Sequence, residues 1–427
     1  MNSFSLKESK TLKEKYYYTA LENGFKITVV PKSLSAVYAM ICCNFGGADL
    51  EYEKNGEKFS LPAGTAHFLE HKMFEGEDGS DTFLEFDRFG GNANAFTSFE
   101  NTCYYFSCTD NFYENLAVLL KSVSSVHFSD ASVEKEKNII AREIKMYDDM
   151  PASTVARNLS KALYHNHPTR FAVSGTVETI SEITKETLFR AYDDFYLPEN
   201  LSLCVCGDVD PEAVRQMAVE YFGSKVGSRP RTLFPPEPRE IKQKELVQTA
   251  QVANELYCIG IKCTPPEKND LAAYKKDVAM RLLISLLFGR SSDFYCSNYE
   301  KVLINERFYA GYNQSRRSAH VIISGSGSEY ERVMKSAFDE IEYRKNNFFT
   351  DEHIMREKKS AYAVSLTLFD SGEDITIAMS DSARLEYDEF DCIEVLRAIT
   401  PEDIRTALDS IDTTNSAISI IKKGKDL

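Results

Sequence analysis

Apolar and polar positions in the first 225 residues switch between two periods. Phe25–Pro31 and Ala36–Phe45 are rich in Val, Ile and aromatic residues, the composition of strands. From Thr65 to Phe74 and from Asp81 to Phe89 the spacing predicts helices. Asn94–Ser98 and Thr102–Cys108 again alternate like strands. Long helical patterns fill Phe112–Val126, Ala131–Asp149 and Ala152–His165. A helix over Lys185–Phe195, a strand over Leu201–Cys206 and a helix over Pro211–Phe222 complete this half.

Residues 226–240 contain Pro230, Pro235, Pro236 and Pro238, a density that denies both a helix interior and a central strand. The order of elements then repeats loosely. A strand (Gln248–Lys262) is followed by helices (Leu271–Phe288 and Phe294–Leu303), two strands (Phe308–Asn313 and Ala319–Gly325), a long helical region (Glu329–Leu408) and a last strand (Asn415–Ile421). The pattern predicts an α+β chain of two structurally similar α/β halves, each an antiparallel-rich sheet covered by helices. The expected division is residues 1–225, a linker at 226–247, and residues 248–427.

Composition narrows the partners. With 427 residues, of which 43% are hydrophobic, the chain can bury two sizeable cores. A net charge of -15 argues against nucleic acid or an anionic membrane as partner. None of the ten cysteines forms a Cys-x-x-Cys pair, and several lie in apolar runs such as 201–206. They read as buried free thiols, and hence as a sign of a reducing compartment. No apolar segment near the start suggests a signal peptide, and no run approaches the ~20 residues that span a bilayer. A soluble cytoplasmic protein is the expectation.

The segment Gly64-Thr65-Ala66-His67-Phe68-Leu69-Glu70-His71-Lys72-Met73-Phe74 carries the chemistry. Thr65 is the expected N-cap. His67 and His71 are four apart, so their imidazoles lie one turn apart on one helical face and can hold one zinc ion. Glu70 lies near that face and can take a proton from a water activated by the metal. This is the His-x-x-Glu-His pattern of inverted zincins. The alternative is two surface histidines beside a solvated carboxylate, but Phe68, Leu69 and Phe74 make the helix half-buried.

Zinc requires a third protein ligand. His165 and His167 qualify by type, although their spacing beside Pro168 reads as a turn. Glu136 and Glu143 stand two helical turns apart on one face, with Glu143 between Ile140 and Ile144. Spacing alone leaves open whether these two are site residues or part of a solvated charged face.

Residues 64–76, Gly-Thr-Ala-His-Phe-Leu-Glu-His-Lys-Met-Phe-Glu-Gly, resemble the active-site helix of the pitrilysin/insulinase family of inverted zincin metallopeptidases. Arg142-Glu143 follows His71 at the family's distance, with Glu136 seven residues earlier. The resemblance implies Glu143 as third zinc ligand, Glu136 as a residue supporting the site from behind, and one Zn2+ per chain. Gly90–Ser98 with Thr102–Tyr105 resembles the family's substrate-binding edge strand, which implies Asn94, Ala95, Phe96 and Thr97 as substrate-binding residues. Ser174-Gly-Thr, Tyr196-Leu-Pro-Glu-Asn and Gly207-Asp-Val-Asp resemble the end of the family's first homologous domain.

The second half departs from the family. Active members supply an Arg and a Tyr seven residues apart from the domain facing the zinc, and residues 250–427 contain no such pair. Tyr299 stands near the expected Arg, with Arg307 and Tyr309 close by in the wrong register. The resemblance then implies the zinc-bearing subunit of the short-chain bacterial branch, a heterodimer with a zinc-less homologous chain that supplies Arg and Tyr. A homodimer is the alternative. The implied activity is a zinc metalloendopeptidase with Glu70 as general base, acting on peptides or unfolded proteins; a non-catalytic assembly or binding subunit on the same fold is the rival.

Overall fold

The computed structural model describes residues 3–424 except 78, 269 and 386. Its contacts divide the chain into two units. The first comprises Met1–Ile144, Ala172–Leu233 and Leu366–Phe390, the second Lys145–Phe171, Phe234–Ser365 and Asp391–Leu427.

In the first unit, strands β1 (Ser5–Ser9), β2 (Glu14–Ala20), β3 (Lys26–Val30), β4 (Val37–Cys43), β5 (Glu51–Lys54), β6 (Glu57–Ser60), β7 (Asn92–Thr97), β8 (Thr102–Cys108), β9 (Leu201–Cys206) and β10 (Arg231–Thr232) form two sheets. The larger has the order β1-β2-β3-β9-β4-β8-β7, which leaves β7 at its edge. Alternation along β4 and β8 gives this sheet two buried faces. Ile41, Cys43, Tyr104 and Phe106 pack with Phe68, Leu69, Leu116 and Leu119 from helices Thr65–Lys72 and Phe112–Ser124. Met40, Cys42 and Cys103 turn the other way, with Phe96, Tyr105 and Ile377 beside them. Ile377 belongs to the helix Gly372–Leu385, which lies against β4 and β9.

The second unit holds β11 (Glu245–Ala250), β12 (Leu256–Lys262), β13 (Tyr309–Ser315), β14 (Ser318–Ser326) and β15 (Ser416–Lys423), in the order β11-β15-β12-β14-β13. One face buries Tyr257, Ile259, Ile261, Val321 and Ile323 under the helix Leu271–Phe288. Its other face, with Cys258, Ala417 and Ile421, meets Val155, Leu159 and Leu163 of the helix Pro151–Leu163.

The two units share a five-strand plan. β3 runs parallel to β9 as β11 does to β15, and every later neighbour in β9-β4-β8-β7 and in β15-β12-β14-β13 is antiparallel. Two similar halves, each a mostly antiparallel sheet under helices, are therefore present as expected. The units are not the contiguous stretches 1–225 and 248–427, however. The helix Pro151–Leu163 belongs to the second unit, and the segment Leu366–Phe390 belongs to the first. An amphipathic pattern says that a helix covers a sheet, not which sheet.

Other expectations are corrected. Gln248–Lys262 is two strands rather than one, whereas the helical region 329–408 is present as a series of helices. The stretch 226–247 is not a free spacer. β10 pairs with β5, and Glu237 is held at 2.6 Å by the buried Lys262. Glu237 also accepts the backbone N–H groups of His165, Asn166 and His167 at 2.9, 2.7 and 2.8 Å. The cysteines are not all free thiols either. Cys42 and Cys103, directly opposed on β4 and β8, form a disulfide, whereas the other eight, among the described residues, form none. No helix among the described residues is long and apolar enough to cross a membrane.

Candidate metal centre

The helix Thr65–Lys72 starts at Gly64, not at a Thr65 cap. Gly64 sits at φ 99°, and a Cβ there would meet the Ser174 carbonyl oxygen at 2.6 Å, so only glycine fits. The Thr65 hydroxyl instead donates back to Pro62 O at 2.7 Å. The helix buries Ala66, Phe68, Leu69 and Lys72. That leaves His67, Glu70 and His71 on its partly exposed face.

The helix Asp130–Asp148 buries Val133, Ile140 and Ile144, and the same anchoring presents Glu136 and Glu143 to the two histidines. His67 Nε2 lies 3.6 Å from one Glu143 oxygen and His71 Nε2 lies 3.4 Å from the other. Donor atoms of His67, His71 and Glu143 all fall within 4.8 Å of one another, and among the described residues no other group of three does so. Tetrahedral ligands ~2.0–2.1 Å from a zinc ion stand roughly 3.3 Å apart. Two imidazoles and one carboxylate are also the donor set that zinc takes, so these residues fit the ion. Their side chains are 12%, 24% and 24% exposed, which leaves one side of the site open, as a catalytic zinc site requires.

Glu136 stands behind His71. Its Oε1 is 3.0 Å from His71 Nδ1, and its Oε2 is 4.0 Å from the Nζ of buried Lys72, which also pairs with Glu75. A carboxylate at Nδ1 fixes the imidazole tautomer with Nε2 facing Glu143. Burial by itself pushes His71 down, but hydrogen bonds to Glu136 and Glu143 and the nearby Glu70 charge override it and raise its pKa to about 9. The facing imidazoles of His67 and His71 hold Glu143 well below the usual carboxylate range against the effect of burial. The site thus favours positive charge between these groups, whether supplied by a proton or by a metal ion.

Glu70 stands outside the donor cluster. Its Oε2 accepts the Thr97 hydroxyl. The four residues expected to bind substrate do not share a face of β7. Ala95 packs toward the core with the helix Thr65–Lys72, whereas Phe96 packs on the Cys42–Cys103 side. The Ala95 N–H is taken up at 2.8 Å by Asn94 Oδ1.

His165 and His167 form a turn in the second unit. His167 caps the helical turn Pro168–Arg170, stacks on Phe234 at 5.3 Å and reaches Arg316 O at 2.8 Å. Tyr299 is exposed and stacks on Tyr295, while Tyr309 lies exposed on the edge strand β13. The sequence reading missed the Thr97 contact and the Lys72 pair, because neither depends on a spacing within one helix.

Two histidines and a glutamate converging from two helices, with a further carboxylate beside them, define a metallopeptidase-type centre of the inverted-zincin kind. The insulinase (peptidase family M16) pattern matches residues 60–177, and the pattern described as the peptidase M16 inactive domain matches residues 182–361. The chain is 35% identical over 411 residues to the uncharacterized zinc protease YmfH of Bacillus subtilis, covering 94% of this chain and 95% of that protein. An M16-like peptidase of Alicyclobacillus acidocaldarius superposes with a TM-score of 0.91 over 99% of both chains at 28% identity. A protease of Helicobacter pylori shares the fold, with a TM-score of 0.83 at 20% identity over 96% of this chain and all of that one. The chain belongs to the insulinase family, peptidase family M16, and several of its relatives are named uncharacterized zinc proteases.

Proposed function

We propose that the chain is a zinc metalloendopeptidase that hydrolyses peptides or partly unfolded proteins. The observation that carries this reading is the convergence of His67, His71 and Glu143 donor atoms beside an uncoordinated Glu70 on the same helix face. His67, His71 and Glu143 would hold one zinc ion. When bound, the ion polarises the scissile carbonyl and acidifies the attacking water. Glu70 takes the proton from that water and later returns it to the leaving amine. Glu136 fixes the His71 ring through Nδ1. An extended peptide adds to the open edge at Asn94–Thr97, where main-chain hydrogen bonds hold it irrespective of its side chains. To bind there it displaces the Asn94 side chain from the Ala95 N–H.

The catalytic assembly is a dimer, with a zinc-less homologous chain supplying an Arg and a Tyr. The support is the missing Arg/Tyr pair in residues 250–427, with Tyr299 near the expected Arg. A homodimer is the second form. The missing Arg/Tyr pair favours the rival, a non-catalytic subunit, and the intact His67, Glu70 and His71 oppose it. The cysteines outside the disulfide favour a cytoplasmic setting, and the Cys42–Cys103 pair speaks against it.

The test is metal analysis and peptide cleavage by the purified chain, alone and co-expressed with a candidate companion, for wild type and Glu70→Gln. Stoichiometric zinc, with cleavage that Glu70→Gln abolishes, supports the enzyme. Zinc without cleavage until the companion is added supports the heterodimer. A folded chain that takes no zinc overturns the proposal.

A further inference from the structure

We infer that Thr97 is the positioning residue for Glu70: its hydroxyl holds one carboxylate oxygen and leaves the other free for proton transfer. The inference rests on the reading of Glu70 as the general base. A glutamate on a partly exposed helix face has three rotatable bonds between backbone and carboxylate. Proton transfer requires one of those arrangements, not their average. Thr97 Oγ1 donates to Glu70 Oε2, and among the described residues no second donor reaches that carboxylate.

The direction of that bond follows from its neighbours. The other oxygen near Thr97 Oγ1 is Thr102 Oγ1 at 3.4 Å, its cross-strand partner. Thr102 is fully buried and commits its own proton to Phe45 O at 2.8 Å. The Thr97 proton therefore goes to the carboxylate, and a hydrogen bond to a charged acceptor is about twice as strong as a neutral one.

The hydroxyl is held in place independently of the zinc helix. Thr97 is the last residue of β7, and the turn that follows is clamped to the 45–49 loop. Gly47 N donates to Ser98 O at 2.9 Å and Ala48 N to Phe99 O at 3.0 Å. Ser98 Oγ bonds Asn101 Oδ1 at 2.6 Å, closing the turn on itself. A Cβ on Gly46 would lie 2.6 Å from Ser98 O, so the loop approaches as closely as backbone allows. Glu100, at the turn's tip, pairs with Arg384. A donor fixed by the sheet thus meets a base fixed by the helix. The same contact occupies the Thr97 side chain, so peptide bound along β7 contacts Thr97 through its backbone.

The experiment compares wild type, Thr97→Val and Thr97→Ser, zinc-loaded and in whichever assembly cleaves, with Glu70→Gln as reference. Val keeps the shape and removes the hydroxyl; Ser keeps the hydroxyl and removes the methyl. Thr97→Val is expected to lower kcat about tenfold to a hundredfold with KM within about twofold, and Thr97→Ser to stay within about threefold of wild type. Zinc content is expected to be equal in all three. Crystal structures are expected to show the Glu70 carboxylate in one orientation in wild type and Thr97→Ser, and released in Thr97→Val. If Thr97→Val is silent, or if the Glu70 carboxylate does not move in Thr97→Val, the inference is overturned while the reading of Glu70 stands. If zinc-loaded wild type cleaves nothing in any assembly, or Glu70→Gln cleaves as wild type does, the reading itself falls and takes the inference with it.

Discussion

The two units build the same five-strand plan and use it differently. In the first, the helix after the second strand of the plan is short and carries His67, Glu70 and His71 on its partly exposed face. In the second, the helix at the same point is Leu271–Phe288, whose turns are filled with buried Leu282, Leu283, Leu286 and Leu287 and whose prominent polar pair is Asp277 with Arg281 at 2.7 Å. Among the described residues, the convergent metal-type donors lie in the first unit alone. The comparison teaches that the fold supplies a rigid frame and that a handful of side chains decides whether the frame carries chemistry.

The largest expected effect is on Glu70, which stands beside the donor group found in the first unit. Glu70→Gln should lower peptide cleavage by on the order of 10³–10⁴-fold with zinc content unchanged. Steady-state kinetics beside metal analysis checks this. Arg281→Met in the second unit should leave zinc content unaltered, and a loss of zinc there would break the comparison.

Next comes a structural effect confined to the second unit. Lys262 is buried, and its ammonium donates to Leu163 O, Pro238 O and Glu240 O as well as to Glu237. Lys262→Met leaves the half-buried Glu237 without its cation, which should cost about 3 kcal/mol in denaturant unfolding. The transition should show the second unit melting first, with zinc still bound by the first.

A smaller effect falls on Glu136. Glu136→Gln removes the carboxylate that orients His71 and should weaken zinc binding by about 10–100-fold without abolishing it. Competition against a chromophoric chelator measures this.

A further effect shows only through pH, on the segment that returns to the first unit. Burial, then Asp381 and Asp388, push Glu389 from 4.5 up to about 8. The folded chain therefore keeps a proton that the unfolded chain releases between those values, and stability falls as pH rises through that window. Glu389→Gln should flatten this decline, raising the melting temperature relative to wild type above about pH 8 but not below about pH 4.5. Parallel curves for the two proteins would count against the assignment.

Much of this frame was legible in the sequence. Thr102–Cys108, Lys185–Phe195, Pro211–Phe222 and Leu271–Phe288 fall where the periodicity puts them, because each has a strong pattern between clear breakers. β1 was not legible, since Ser-Leu-Lys-Glu-Ser is too polar to read as a strand, whereas Tyr16, Tyr17, Tyr18 and Thr19 do carry a strand signal for β2 that the reading passed over. The break between β11 and β12 has no Gly or Pro to mark it. The Cys42–Cys103 pair depends on cross-strand register between residues 61 apart, which spacing does not reveal. His67, Glu70 and His71 could be read because one helical period joins them. Glu136 and Glu143 needed the family resemblance to separate them from a charged surface. Thr97 could not be assigned its contact with Glu70, because that contact depends on how a clamped hairpin meets a helix.

The most direct test of the central claim is the zinc content of the purified, folded chain beside that of His71→Ala. The account predicts about one zinc per chain in wild type and loss of that zinc in His71→Ala, with the fold of both units retained. A folded wild type without zinc, or zinc that survives His71→Ala, would contradict it.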